Sequence, residues 1–135
     1  VLRLQRRENY RLTTPIARPL KCKINLTTKD GSVHMVEAQV VDISGTGVRL
    51  AGLPTEMPLE TDMELPGCSI ELPEVGLIET ALHLHWLAES VSRSGASSNR
   101  AGCEFVKLPR QMTTLIQRYI FKIERERKAR DSGLA

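Results

Sequence analysis

Two short segments in the first third of the chain carry side chains suited to binding an anion. Residues 5–11 read Gln-Arg-Arg-Glu-Asn-Tyr-Arg, and residues 42–47 read Asp-Ile-Ser-Gly-Thr-Gly. Arginine matches phosphate oxygens and also the O6/N7 edge of guanine, while aspartate and serine oxygens accept hydrogen bonds from guanine's donor groups. Glycine permits close approach of the backbone. Together the two segments predict a site for a phosphorylated guanine compound.

The spacing of these residues carries the inference. Arg7 and Arg11 form an Arg-x-x-x-Arg pair, and Asp42, Ser44 and Gly47 form Asp-x-Ser-x-x-Gly about thirty residues later. The arginine pair alone is a weak signal because the chain is rich in arginine, whereas the second pattern arises far less often by chance. Their occurrence in this order is therefore the informative observation.

These patterns resemble the PilZ domain, a bacterial receptor module for cyclic di-GMP. The opening at residues 5–11 is most similar to the flagellar-brake branch of that family, and Gly-Cys-Glu-Phe-Val at 102–106 is similar to its closing strand. The resemblance implies a mainly β fold, a six-stranded antiparallel β-barrel with a C-terminal α-helix. It also implies a bacterial, cytoplasmic receptor whose partner is a flagellar motor component or another protein, with recruitment to the flagellar basal body.

The resemblance further implies which residues bind cyclic di-GMP. They are Gln5, Arg6, Arg7, Arg11, Asp42, Ser44 and Gly47. The arginines would grip phosphates and guanine edges, Asp42 and Ser44 would bind guanine or anchor the arginine-bearing arm, and Gly47 would allow close approach. Arg6 precedes the first motif arginine and would stack on an additional guanine face, which favours two stacked ligand molecules. The ligand is the only bound group expected, with no further cofactor.

The chain has the size and balance of one compact domain, with 135 residues, 41% hydrophobic and 26% charged. We expect a ligand-binding arm at 1–14, the barrel at 15–108 and a helix of the same domain at 109–131. The arm lacks a strand or helix repeat and should become ordered when its arginines meet an anion. The chain begins with valine and not methionine, which suggests the downstream part of a longer protein whose first module was removed. Flagellar-brake relatives usually carry such a module.

Alternation of apolar and polar residues with period two predicts the strands. The alternating segments are 20–26, 36–41, 48–50, 68–73, 77–88 and 103–105. Asp-Gly at 30–31 predicts a hairpin turn, and Pro54, Pro58 and Pro66 indicate a proline-rich connection. The polar segment 90–99 predicts a mobile loop.

Apolar residues at helical spacing follow Gln111 and predict a helix that packs on the barrel. The stripe comprises Met112, Leu115, Ile116, Tyr119, Ile120 and Ile123. Phe121 falls outside this stripe and is a candidate for contact with another chain or domain. Trp86 lies in an alternating segment and is expected in the core.

Charge leaves one alternative function open. The net charge is +3, and residues 1–11 and 118–131 each carry +3, so the segment between them is negative. A small barrel with basic ends also suits a single-stranded nucleic-acid-binding module, but such sites use aromatic stacking platforms and this chain is only 4% aromatic. The composition therefore disfavours nucleic acid as the ligand. The absence of a nucleophile with a base, paired carboxylates or a phosphate loop predicts no enzyme and no catalytic residues.

The cysteines and histidines suggest no further chemistry. Cys22, Cys68 and Cys103 are widely spaced, which fits buried thiols in a reducing cytoplasm better than a disulfide framework. His83 and His85 share one strand face, but no further ligand at convincing spacing joins them, so we expect solvent-facing histidines and no metal. No apolar run approaches the ~20 residues of a membrane span.

Overall fold

A computed structural model of the protein describes residues 10–27 and 30–131. Within these ranges the chain forms seven strands and one helix. They are β1 Leu12–Thr13, β2 Leu20–Thr27, β3 Val33–Ile43, β4 Gly47–Leu53, β5 Glu64–Leu72, β6 Gly76–Val91, β7 Ser97–Val106 and α1 Arg110–Asp131. The predicted mainly β fold with a C-terminal helix is confirmed.

Strands β2 to β7 close into an antiparallel barrel. Their order is β3-β2-β5-β6-β7-β4, and β4 also pairs with β3, so the sheet returns to its starting strand. The short strand β1 pairs with β3 through two residues. Because closure pairs the edges of the sheet, it hides the backbone groups that an open sheet exposes. The predicted six-stranded barrel is confirmed.

The barrel core is built from the alternating residues that predicted the strands. Residues on β2 that point inward and are buried are Leu20, Cys22, Ile24 and Leu26. The thiols of Cys22, Cys68 and Cys103 are all free and buried in this core, as predicted. Cys68 belongs to β5, where its Sγ lies 3.3 Å from the carbonyl oxygen of Leu65.

Helix α1 packs its apolar stripe against the barrel. Ile116, Tyr119 and Ile123 are buried, which confirms the predicted stripe. Phe121 is 61% exposed on another side of the helix, and the Arg125 guanidinium carbon lies 5.2 Å from the centre of its ring. No helix among residues 10–27 and 30–131 has both the length and the hydrophobicity to cross a bilayer.

The proline-rich connection is shorter than the sequence predicted. Pro66 lies inside β5, where the register of pairing with β6 shifts between Leu65 and Cys68. Gly67 follows with a φ of 67° at the same irregularity. A β-bulge tolerates proline because the extra residue does not take part in the ladder of hydrogen bonds. The prediction that Pro66 belongs to a connection was wrong for this reason.

The polar segment 90–99 is mostly a hairpin and not a long loop. Strand β6 continues to Val91 and β7 begins at Ser97, so residues 92–96 alone form the connection. The amide of Ser92 donates to the carbonyl of Ala96 at 2.9 Å and closes the turn. Apolar and polar residues do not alternate in this segment because this end of the hairpin is largely exposed, so neither face of its strands packs in the core.

Candidate functional site

Arg11, Asp42 and Arg49 form a charged triplet on the outside of the barrel. Arg11 Nη1 donates to Asp42 Oδ1 at 2.7 Å, and Arg49 Nε lies 3.5 Å from Asp42 Oδ2. The Asp42 side chain is only 10% exposed, whereas those of Arg11 and Arg49 are 35% and 50% exposed. One carboxylate between two guanidinium groups leaves a net positive charge, and each guanidinium has further donors for an anion.

The backbone next to Arg11 is fixed to the barrel. Leu12 pairs with Ile43, Thr13 pairs with Asp42, and the Leu12 side chain is buried in the core. The Thr14 hydroxyl donates to the carbonyl of Val40 at 2.6 Å. The last residues of the predicted arm therefore form an extended strand on the barrel. Burial of the apolar Leu12 side chain in the core stabilises this strand, although the residues around it in sequence are polar.

Ser44 shapes the turn between β3 and β4. Its hydroxyl oxygen accepts hydrogen bonds from the amides of Thr46 and Gly47, each at 3.2 Å, and its own amide donates to the Gly47 carbonyl at 2.9 Å. Ser44 is fully buried. A serine hydroxyl bonded to amides two and three residues later stabilises a tight turn. Its predicted contact with guanine stays a prediction.

Gly47 is required by the neighbouring strand β7. A Cβ atom at this position would lie 2.1 Å from the carbonyl oxygen of Cys103, far inside van der Waals contact. The amide of Phe105 donates to the carbonyl of Thr46 at 2.9 Å, which holds the turn against β7. The close approach in this structure is therefore between two strands, and approach of a ligand to Gly47 remains a prediction.

A cavity of about 280 Å³ lies beside the charged triplet. It is lined by Arg11, Thr46, Gly47, Arg49, His85, Trp86, Gly102, Cys103 and Glu104. Burial raises the pKa of the Cys103 thiol to about 12, so this thiol is protonated at neutral pH and is a poor nucleophile. Larger open grooves of about 480 Å³ lie elsewhere on the barrel, and two of them are lined by Lys21 and Glu37, which form an ion pair.

Arg49 and Trp86 are functional candidates that sequence reasoning missed, and Trp86 was expected elsewhere. The structure places it 41% exposed at the cavity, so its predicted position in the core was wrong. The pairing of β6 with β7 shifts register between Leu84 and Trp86, which interrupts the inward and outward alternation. The indole lies over Gly102, where an added Cβ atom would be 2.0 Å from Trp86 Nε1. The sequence carried no signal for this placement, because Gly102 lies opposite Trp86 only through the register of β6 and β7.

The structure brings together Arg11, Asp42, Ser44 and Gly47 from the predicted site. Gln5, Arg6 and Arg7 lie outside the described residues, so their contacts with a ligand stay predictions. His83 and His85 are partly exposed, as expected, and His85 Nε2 lies 2.7 Å from Glu104 Oε2. The two arginines of the charged triplet, residues 46–47 of the turn and Trp86 thus line one cavity.

Comparison with known protein families decides the classification, because the PilZ domain matches residues 5–122. This chain belongs to the PilZ domain family. The flagellar brake protein YcgR of Azoarcus sp. strain BH72 is 47% identical over 133 residues, which cover 98% of this PilZ chain and 51% of the relative. YcgR 1 of Dechloromonas aromatica strain RCB is 39% identical over 137 residues, which cover the whole chain and 52% of the relative.

Solved structures share the PilZ fold at lower sequence identity. The PilZ domain of Escherichia coli YcgR with c-di-GMP superposes with a TM-score of 0.72 at 19% identity, covering 91% of this chain and 95% of that one. The MrkH complex with c-di-GMP from K. pneumonia gives 0.71 at 20% identity, covering 89% and 53%. This PilZ chain spans about half the length of the curated relatives it matches.

Proposed function

We propose that this PilZ domain is a receptor that binds cyclic di-GMP in the cavity beside the Arg11–Asp42–Arg49 triplet. The observation that carries the proposal is the pair of exposed guanidinium groups held at one cavity mouth by a buried carboxylate. Cyclic di-GMP presents two phosphates and two guanines, and arginine bonds both groups. The names of the solved PilZ structures with c-di-GMP support the same ligand.

The exposed indole of Trp86 supplies a second kind of contact. A flat aromatic surface next to arginines suits a guanine base, because stacking on an aromatic ring is worth roughly 1–3 kcal/mol per base. Trp86 lines the cavity together with Arg11 and Arg49, so one guanine can stack while its phosphate meets the guanidinium groups. Asp42 would then either keep Arg11 in place or accept from guanine itself.

The size of the cavity favours closure of the arm over the ligand. Its volume of about 280 Å³ is below the ~300–1,000 Å³ typical of small-molecule sites. A cyclic dinucleotide therefore requires additional surface, which we assign to Gln5, Arg6 and Arg7. Arg6 would stack on a second ligand molecule, and this role favours two stacked molecules per domain.

Ordering of the arm would relay the signal. Arg127 of α1 donates to the carbonyl of Thr13, and Thr13 pairs with Asp42, so the helix contacts the strand that follows Arg11. A ligand that moves Arg11 can thus alter both the preceding chain and the helix. We propose that an adjoining domain or a protein partner reads this change in the bacterial cytoplasm. The flagellar-brake name of the relatives favours control of motility.

Isothermal titration calorimetry of the chain with cyclic di-GMP tests the proposal. We expect saturable binding, and a stoichiometry of two would support the role of Arg6. A single-stranded oligonucleotide of the same concentration serves as the control and should give no saturable heat. Absence of binding by a folded sample would contradict the receptor function. Tighter binding of the oligonucleotide would favour the nucleic-acid alternative, and hydrolysis of cyclic di-GMP would favour an enzyme.

A further inference from the structure

Three potential metal ligands converge on the outer face of the barrel. His83 and His85 are two residues apart on β6, so their side chains leave the same face of the strand. Their ring centres lie 4.9 Å apart. Asp62, which precedes β5, places Oδ1 3.4 Å from His83 Nε2. Across the part of the chain that the structure describes, these three residues form the one such group, with a ligand atom from each within 4.8 Å of the others.

The backbone holds Asp62 in this position. Its amide donates to the carbonyl of Leu84 at 2.6 Å, and the amide of Leu84 donates to the carbonyl of Met63 at 2.9 Å. Leu84 lies between the two histidines in sequence, so the hydrogen bonds align Asp62 with both rings. Asp62 also has a φ of 68°, a left-handed conformation that aspartate adopts more readily than most residues. The carboxylate is therefore presented to the histidines by a fixed segment.

We propose that Asp62, His83 and His85 bind a divalent transition-metal ion of the zinc class. Two imidazoles and one carboxylate are a donor set that zinc accepts, with water in the fourth position. Ligand atoms around tetrahedral zinc lie about 3.4 Å apart, given metal–ligand distances of ~2.0–2.1 Å. On binding, side-chain rotations must bring these atoms from within 4.8 Å of one another to that spacing. The side chains can make them because those of Asp62, His83 and His85 are 83%, 37% and 49% exposed.

Glu104 on β7 supports this assignment. Its Oε2 lies 2.7 Å from His85 Nε2, so it can accept a hydrogen bond from that nitrogen. Metal-bound histidines commonly donate their second ring nitrogen to a carboxylate, which orients the ring and selects the nitrogen that binds the ion. Glu104 would hold Nε2 of His85 in this manner, which leaves Nδ1 as the nitrogen of His85 that would bind the ion. The arrangement differs from two separate surface ion pairs, because both rings and Asp62 share one small volume.

Titration of the chain with Zn²⁺ in the presence of a reductant and without nucleotide tests the site. We expect one ion per chain, and His83→Gln, His85→Gln and Asp62→Asn should each weaken binding at least about tenfold. His34→Gln removes the third histidine of the chain and is the matched control, since His34 lies on β3 outside the cluster. Glu60→Gln is the control for loss of an exposed carboxylate near Asp62.

Cobalt absorption distinguishes this site from the buried thiols, which every variant retains. Co²⁺ bound by nitrogen and oxygen should give visible bands without the strong near-ultraviolet band of thiolate ligation. Circular dichroism shows that each variant is folded. The proposal is overturned if the His83→Gln, His85→Gln double variant binds Zn²⁺ like the original chain, if the original chain binds none, or if the thiolate band appears. These outcomes do not depend on cyclic di-GMP binding.

Discussion

The guanidinium of Arg11 lies 2.7 Å from the carboxylate of Asp42, although 31 residues separate them in sequence. This bond joins the residue before β1 to the strand that carries the Asp-x-Ser-x-x-Gly pattern. The carboxylate assigned to guanine from the sequence is thus already bonded to an arginine. If guanine donates to Asp42, it must replace or share this bond, so we expect ligand entry to alter the contacts of Arg11.

Arg11→Ala should weaken cyclic di-GMP binding by at least about tenfold, because it removes a charge-assisted donor at the cavity mouth. Asp42 keeps Arg49 as a partner, so we expect a loss of only about 1 kcal/mol in the free energy of unfolding. Calorimetry and denaturant unfolding measure the two effects. Arg93→Ala in the exposed turn 92–96 is the matched control and should leave affinity unchanged. Equal affinities of the two variants would remove Arg11 from the site.

Binding of cyclic di-GMP should change the intrinsic fluorescence of the protein. Trp86 is the one tryptophan in the chain, and it lies partly exposed in the cavity wall. A base that stacks on the indole alters its environment, so we expect a saturable change with the midpoint seen by calorimetry. Arg11→Ala should shift that midpoint to higher ligand concentration. A calorimetric isotherm without any fluorescence change would place the ligand away from Trp86.

Gly47→Ala and Gly102→Ala should differ sharply in stability although both add one methyl group. At Gly47 the new Cβ atom meets the Cys103 carbonyl at 2.1 Å, and backbone in a paired strand cannot move aside. We expect a loss of at least about 3 kcal/mol in the free energy of unfolding. At Gly102 the obstacle is the exposed Trp86 indole, which can rotate, so the loss should be about 1 kcal/mol.

Denaturant unfolding followed by circular dichroism compares the two glycine variants. Gly102→Ala should also weaken ligand binding, because it displaces Trp86 from its place at the cavity. Similar stabilities for both variants would mean that the turn at Gly47 can shift away from β7.

The thiols of Cys22 and Cys103 should resist alkylation in the native protein. Burial raises the pKa of Cys103 from 9.0 to about 12, which makes its thiolate fraction roughly a thousandfold smaller near neutral pH. The pKa of Cys22 is also raised, first by its hydrogen bond with Cys68 and then by burial. Iodoacetamide followed by mass spectrometry should modify these residues only after unfolding in guanidinium chloride. Rapid modification of Cys103 in the native state would indicate frequent opening of the barrel.

The elements with strong periodicity were predictable from sequence. Alternation at 20–26 and helical spacing from Gln111 each identify one buried face, and the structure buries those faces. Local hydrophobic pattern suffices in these segments because each has one side in the core. The pairing of Arg11 with Asp42 was anticipated as proximity between the two motifs, but its geometry depends on the register between β1 and β3.

Features that depend on strand register were not predictable. Trp86 faces the cavity because of a register shift after Leu84, and Pro66 enters β5 at another shift. Asp62 reaches His83 only because hydrogen bonds align its segment with β6. Such long-range pairings leave no periodic signal in a single sequence, since partners far apart along the chain determine them. The residues that line the cavity and the grouping of the proposed metal ligands could therefore be seen only in the structure.

Burial of Leu12 constrains how the preceding chain can move. A residue locked into the core directly after Arg11 acts as a pivot, and the pivot lies beside Asp42 on β3. The arm that we propose to close on the ligand would therefore turn about a fixed point on the barrel. In the proposed receptor, such a hinge would convert ligand occupancy into a change of direction.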